Sequence, residues 1–311
     1  MKTRCIVPCE NRFEKLIDIR RGTLKDNEIV TVVLQSNEKY SNKERMDVLS
    51  KVVESILEKS SGNGVILFPG GMFSTGESEP KTYYNKLEET VKNILSKTER
   101  NIIICTGIDG SVDVEDCSHD QIGIAVSKNG IEAIGRKFHP APQEKGHVEL
   151  AEKYSSKEDG KSRIFELNGV KYFMCVCYDT YGVRHKELSN SEGVDVVLNL
   201  VHCFYPKGEG PSGDPYFARH GFAGASKQWK CPVFGTAVFF NRAIPERWPT
   251  GVIWNQGDKS TQKWKYEYNP LKYSEEFKVD ITEGIALVRM YNLSECLCIT
   301  SDIEVIPPRF S

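Results

Sequence analysis

The feature that most narrows what this chain can fold into is an alternation near its start. Glu28-Ile29-Val30-Thr31-Val32-Val33-Leu34-Gln35 is a nearly unbroken apolar run, the pattern of a strand covered on both faces. A polar break leads to Ser41, placed as an N-cap. Val48, Leu49, Val52, Val53, Ile56 and Leu57 then follow helical spacing up to Gly62-Asn63-Gly64. Val65 to Phe68 reads as a second strand ending in Pro69-Gly70-Gly71. A second helix is predicted from about Pro80 to Ser96, with Tyr84, Leu87, Val91 and Ile94 as its inward stripe. Asn101 to Cys105 is a third strand. Strand-helix-strand-helix-strand order implies parallel strands with right-handed crossovers and helices laid on the sheet, hence an α/β fold.

The texture then changes. Gln121 to Ser127 and Gly130 to Arg136 flank Lys128-Asn129, and Asn-Gly at the turn predicts a hairpin. That hairpin delivers Lys137-Phe138-His139-Pro140. Residues 140–162 read as a polar loop or short helix, and Arg163 to Leu167 turns at Asn168-Gly169 into a further strand. This strand, Val170-Lys171-Tyr172-Phe173-Met174-Cys175-Val176, runs out at Cys177-Tyr178-Asp179. Strand ends in α/β sheets are where reactive groups collect, because a rigid element aims them into the crevice beyond the sheet. Downstream, a helix is predicted near Val183 to Leu188, a strand at Val194 to Leu200, and a Gly/Pro-rich loop over 203–214. A helix from Tyr216 to Trp229 and a strand from Val233 to Phe240 follow, with closing strands at 251–255, 263–268 and 284–290. Nothing divides the chain after the leader, so residues 1–27 are taken as an N-terminal arm and 28–311 as a single domain.

Composition limits the function classes. A formal charge of −2, from 41 basic and 43 acidic residues, provides no field for nucleic acid or an anionic membrane. No apolar run approaches the roughly 20 residues of a membrane span, and no signal core follows Met1, which points to a cytoplasmic protein. The ten cysteines fall singly or as C-x-C, with neither a C-x-x-C pair nor a finger-like Cys/His spacing. Reduced thiols account for them more simply than disulfides or metal. Neither metal nor organic cofactor is implied.

Taken together, the element order, Gly135-Arg136-Lys137-Phe138-His139 arriving from a hairpin, and the strand ending Cys177-Tyr178-Asp179 resemble the nitrilase superfamily of carbon–nitrogen hydrolases. The likeness runs from about residue 28 to residue 290. It implies a four-layer αββα sandwich that pairs with a second copy of itself, and a Cys-Lys-Glu catalytic set. By resemblance Cys177 is the nucleophile, Lys137 the partner of thiolate and oxyanion, and the Tyr178 backbone N–H a second oxyanion donor. The chemistry explains the residue types. A thiol with a pKa near ~8.5 is mostly protonated at neutral pH, so an ammonium beside it favours the reactive thiolate. A carboxylate takes the thiol proton, returns it to the leaving amine and activates water.

The family places that carboxylate directly after the Phe-Pro closing the second strand, and here Phe68-Pro69 is followed by Gly70. Glu77 and Glu79 lie beyond, in a segment that reads as solvent-facing. Glu144 sits where an auxiliary family glutamate follows the lysine. The leading expectation is therefore thioester hydrolysis of a small amide-type substrate, impaired by the missing glutamate. The alternative is a nitrilase-like protein without turnover that binds a ligand or partner. Which holds turns on whether a carboxylate comes within hydrogen-bond reach of Cys177. A weaker echo of class I glutamine amidotransferases, Pro69-Gly70-Gly71 followed by Cys105, lacks the glycine such a thiol elbow needs upstream. Trp229, Trp248, Trp254 and Trp264 are candidates to line a pocket. No role is assigned to His202, Arg219 or His220, placed in or after a long loop from Val201.

Overall fold

The computed structural model describes residues 27–37, 41–113, 118–206, 214–255, 257, 266–282 and 284–301. Residues 1–26 of the expected arm, and Trp264, therefore lie outside the described residues.

Strand β1 (Asn27–Ser36) is followed by helix α1 (Asn42–Lys59), β2 (Asn63–Leu67), a 3-10 turn at Gly70–Met72, the short β3 (Phe73–Ser74) and α2 (Tyr84–Leu95). The predicted cap is present. Ser41 and Glu44 satisfy each other's backbone N–H groups in a capping box, which removes orphan donors from the first turn of α1. Next come β4 (Ile102–Asp113), β5 (Ser118–Ser127), β6 (Gly130–Arg136), β7 (Ile164–Leu167), β8 (Val170–Val176) and α3 (Asp179–His185). Then β9 (Val196–Phe204) precedes a helical stretch that opens with an α turn at Asp214–Tyr216, continues as a π turn over Phe217–Phe222 and ends in α4 (Ala223–Trp229). Five elements complete the fold: β10 (Val233–Phe240), β11 (Gly251–Trp254), β12 (Tyr268–Pro270), β13 (Glu275–Ile281) and β14 (Gly284–Asn292), with α5 (Leu293–Ser301) after them.

The main path of pairing runs β6-β5-β4-β2-β1-β10-β9-β8-β7. β1 pairs in parallel with β2 through its first half and with β10 through Leu34, Gln35 and Ser36, while β14 covers its other edge antiparallel. Hydrogen bonding is thus continuous, yet the strands stack as two layers, as their alternating side chains show. Ile29, Val65, Leu67, Ile103 and Ala125 pack against Tyr172, Met174, Leu198, Leu200 and Phe234, forming the core between the layers. On the outer face of the first layer, Val30, Val32, Ile66 and Ile104 meet the apolar stripes of α1 and α2. On the outer face of the second, Phe173, Cys175 and Val197 meet Val183, Phe222, Ala225 and Trp229. Three cores between four layers make the expected αββα sandwich.

Several boundaries differ from expectation. β4 continues past Cys105 to Asp113, and Gly107 and Gly110 within it are points of close approach. A Cβ on Gly107 would stand 1.9 Å from the Gly70 carbonyl oxygen. β9 likewise continues to Phe204, so His202 lies in a strand rather than in the predicted loop. The helix predicted near Val183 begins earlier, at Asp179, directly behind Cys177. β13 was not anticipated; its charged, half-exposed sequence gives little apolar signal.

Candidate active site

Cys177 occupies the residue where β8 stops and α3 starts. Its N–H donates to the Leu200 carbonyl (2.8 Å), and its φ of 51° turns the chain sharply into the helix. A left-handed conformation at a non-glycine residue costs of order 1–3 kcal/mol and persists only where neighbours enforce it. The enforcing neighbour is Asp179. Its fully buried carboxylate accepts from the N–H of Val176 (3.0 Å) on one side of the turn. It also accepts from the N–H groups of Phe138 (2.8 Å) and His139 (2.9 Å), 41 and 40 positions away in sequence. Arg163 completes the set at 2.9 Å, itself fully buried and donating also to the Arg136 carbonyl, with its guanidinium over the Phe138 ring. One carboxylate therefore clamps the cysteine turn to the segment that carries Lys137.

Lys137 is completely buried. Its ammonium lies 2.5 Å from Glu144 Oε2 and donates to Gln121 Oε1 at 2.6 Å, while Gln121 Nε2 donates to Glu144 Oε1 at 3.2 Å. The three side chains form a closed triangle. Burial works to raise the Glu144 carboxyl, but the Lys137 charge and hydrogen bond, the Ala141 N–H and nearby His202 outweigh it and leave the pKa lowered. Glu144 is thus a built partner of the lysine, although it stands in a polar Gln-Glu-Lys run. Burial, with Cys177 and Glu144 adding to it, pushes the Tyr178 hydroxyl upward. Its ring stacks on Tyr181 with centroids 4.4 Å apart and walls the turn.

His202 is the group that sequence reasoning missed. It is buried, its Nε2 stands 2.8 Å from Asp109 Oδ1, and its Nδ1 has no hydrogen-bond partner among the described residues. Burial alone would lower its pKa. Asp109 and the adjacent Cys177 sulfur overcome that and raise it to about 10. The ring lies against Gly70: a Cβ there would meet His202 Cε1 at 3.2 Å and the Leu200 carbonyl oxygen at 2.5 Å. Arg45 holds the Gly70–Met72 turn in place by donating to the Gly71 and Met72 carbonyls. The one available signal was a histidine and an aspartate at the far ends of two strands, and both strands had been cut short.

Among the described residues no carboxylate makes a hydrogen bond to Cys177. Glu77 is exposed and Glu79 pairs with Lys81 at 2.5 Å. Cys105 is fully buried, its thiol pushed far upward by burial, which leaves nothing to the amidotransferase echo. Trp229 packs edge-on to Phe173 (4.7 Å) in the core, and Trp254 sits under the ammonium groups of Lys227 and Lys230. Trp248 borders a cavity of about 670 Å³ that is also lined by Arg219, Arg289 and Tyr273, and by none of Cys177, Lys137, Glu144 or His202.

Among solved structures, Nit3 of Saccharomyces cerevisiae, a member of branch 10 of the nitrilase superfamily, superposes at a TM-score of 0.57. The match covers 91% of this chain and 97% of that one, with 11% sequence identity. The chain has the nitrilase-superfamily fold. A carbon–nitrogen hydrolase from Helicobacter pylori G27 matches at 0.54 over 89% of this chain and 92% of its own, again at 11% identity. A nitrilase-superfamily amidase from Nesterenkonia sp. AN1 matches at 0.53 over 89% and 94%, at 12% identity. No protein-family model matches the sequence, and no curated protein matches it. At this identity the likeness lives in the layering and topology.

Proposed function

We propose that this chain is a cysteine-dependent hydrolase of small amide-type C–N bonds. The observation that carries the reading is the Asp179 clamp, which ties a cysteine in a strained turn to the segment bearing a buried lysine. In the proposed reaction Cys177 Sγ attacks the substrate carbonyl, and the Lys137 ammonium and the Tyr178 N–H hold the resulting oxyanion. Glu144 and Gln121 keep that ammonium aimed. The C–N bond breaks to leave a thioester on Cys177, and water then releases the acid. A mutant of the Nesterenkonia amidase supports the thiol as the reacting group by analogy, since it shows the result of Michael addition of acrylamide at the active-site cysteine.

The experiment is ammonia release from acetamide, propionamide and acrylamide, with intact mass used to look for an acyl adduct on Cys177. Turnover lost in Cys177→Ser is the expected result. Alkylation by iodoacetamide at neutral pH is expected at Cys177, with Cys105, Cys175 and Cys231 untouched, since burial pushes those thiols upward. Hydrolysis that survives Cys177→Ser would overturn the proposal. The alternative, a binding protein without turnover, draws on the lack of a carboxylate at Cys177, and tight binding of an amide without ammonia release would favour it.

A further inference from the structure

We infer that His202, held by Asp109, is the group that moves protons at Cys177. The inference rests on Cys177 being the nucleophile, as proposed above. It rests on geometry from three elements. His202 projects from β9, the strand paired with β8, and Cys177 is bound to that strand through its N–H to Leu200. Asp109 comes from the part of β4 beyond Cys105 and takes up Nε2 at 2.8 Å. Nδ1 is buried and makes no well-aligned hydrogen bond among the described residues, while the ring interacts with the Cys177 sulfur, the reacting group that would complete it. Hydrogen bonds of this kind are commonly long or misaligned before substrate binds.

The site is also built to exclude the carboxylate that the resemblance expects after Phe68-Pro69. Any side chain at residue 70 would run into the Leu200 carbonyl oxygen and the His202 ring. The imidazole occupies the space beside Gly70, and Asp109 supplies the negative charge one step removed. This is the nucleophile, base and orienting carboxylate arrangement that activates thiols and hydroxyls on unrelated folds. The charged and titratable groups that face His202 are Asp109 from β4, Cys177 from the end of β8, and Glu144 from the loop after β6.

The proton inventory closes. The proton that Sγ gives up already rests on Nδ1, because Asp109 and the sulfur beside it hold the ring protonated; Sγ bonds to the substrate carbonyl carbon, and the electron pair of C=O moves onto oxygen. When the C–N bond breaks, Nδ1 returns that proton to the departing nitrogen, which leaves as amine or ammonia. Water then attacks the thioester carbon and gives a proton to Nδ1. As the C–S bond breaks, the sulfur leaves beside the imidazolium, restoring the starting pair. The sum is amide plus water to acid plus amine.

The test uses the full-length protein and two variants, His202→Gln and Asp109→Asn, with folding checked by circular dichroism and gel filtration. The first readout is the pseudo-first-order rate of iodoacetamide labelling at Cys177 as a function of pH, which needs no substrate. In His202→Gln the rate at neutral pH is expected to fall at least tenfold and the profile to move to higher pH, with a smaller move in Asp109→Asn. The second is ammonia release, expected to fall about 10²- to 10⁴-fold in His202→Gln, the usual cost of losing a general base. If His202→Gln does not fold, Asp109→Asn is read by the same two assays. Unchanged labelling profiles in the folded variants overturn the inference. Turnover that depends on Cys177 but not on His202 or Asp109 overturns it while leaving the proposed hydrolase standing. Labelling that depends on His202, in a protein that releases no ammonia from any amide, sinks the hydrolase and leaves the thiol–imidazole pair.

Discussion

Replacing Asp179 by alanine tests the clamp on which the site depends. Four N–H donors converge on this carboxylate: Phe138, His139, Val176 and Arg163 Nη1. The substitution leaves the fully buried guanidinium of Arg163 without its counter-charge. Breaking a buried pair from one side typically costs about 3–5 kcal/mol, more than the pair itself is worth, because the remaining charge stays desolvated. The three stranded backbone N–H groups would each cost about 1–3 kcal/mol if they stayed dry, although shared relaxation makes such terms less than additive. A loss of about 5 kcal/mol is therefore expected, against a total stability of roughly 5–15 kcal/mol for a folded domain. Urea unfolding followed by tryptophan fluorescence measures it. The decisive comparison is the cycle with Arg163→Met. Removing the stranded charge should recover at least about 1 kcal/mol relative to Asp179→Ala alone. A loss below about 1 kcal/mol, or strict additivity in the cycle, would refute the reasoning. Where the protein still folds, labelling of Cys177 should slow, because the strained turn has lost the group that enforces it.

The stability of the wild-type protein should carry two pH signatures. His202 has a folded pKa raised to about 10, so its contribution is fully present below the ordinary histidine pKa and disappears as pH rises through the folded value. Urea titrations should show a loss on the order of 3 kcal/mol between roughly pH 6 and pH 9, flattened in His202→Gln. Glu144 works in the other direction: its folded pKa is lowered, so its contribution is present above the ordinary carboxylate range and is lost as pH falls through the folded pKa. Glu144→Gln should therefore show a shallower acid limb than the wild type in the same titrations. Gly107→Ala should cost at least about 2 kcal/mol, because its Cβ would press on the Gly70 carbonyl and not on a movable side chain, and thermal melts will read it. Wild-type stability in that variant would mean the turn shifts freely.

The layers were legible because their signals are local. Buried parallel strands are unbroken apolar runs, the helices between them keep a helical stripe, and Ser41 and Glu44 announce a cap. Cys177 and Lys137 were legible because each closes a strand next to a recognisable turn. What was hidden is what arises from long-range contact. Asp109 and His202 lie beyond the points at which β4 and β9 lose their apolar texture, and those strands persist on distant partners, β4 between β3 and β5 and β9 along β10. Gly107 of β4 faces the Gly70 carbonyl and Gly110 faces Thr75 and Ser78, so the room they leave is a fact about another segment. Glu144 sits in a polar run, and only the Lys137 ammonium folded beneath it distinguishes it from a solvated acid.

Strand β1 has a consequence for how this molecule opens. It is bonded to β2, β10 and β14 at once, so it belongs to both layers. The lysine follows a strand of the first layer and the cysteine ends a strand of the second, and breathing apart along the inter-layer plane would separate them. Such a motion must tear β1 from one of its neighbours and wet the apolar surface between the layers, which amounts to melting the whole protein. Small adjustments are therefore confined to the rim, while the two layers stay together for as long as the chain is folded.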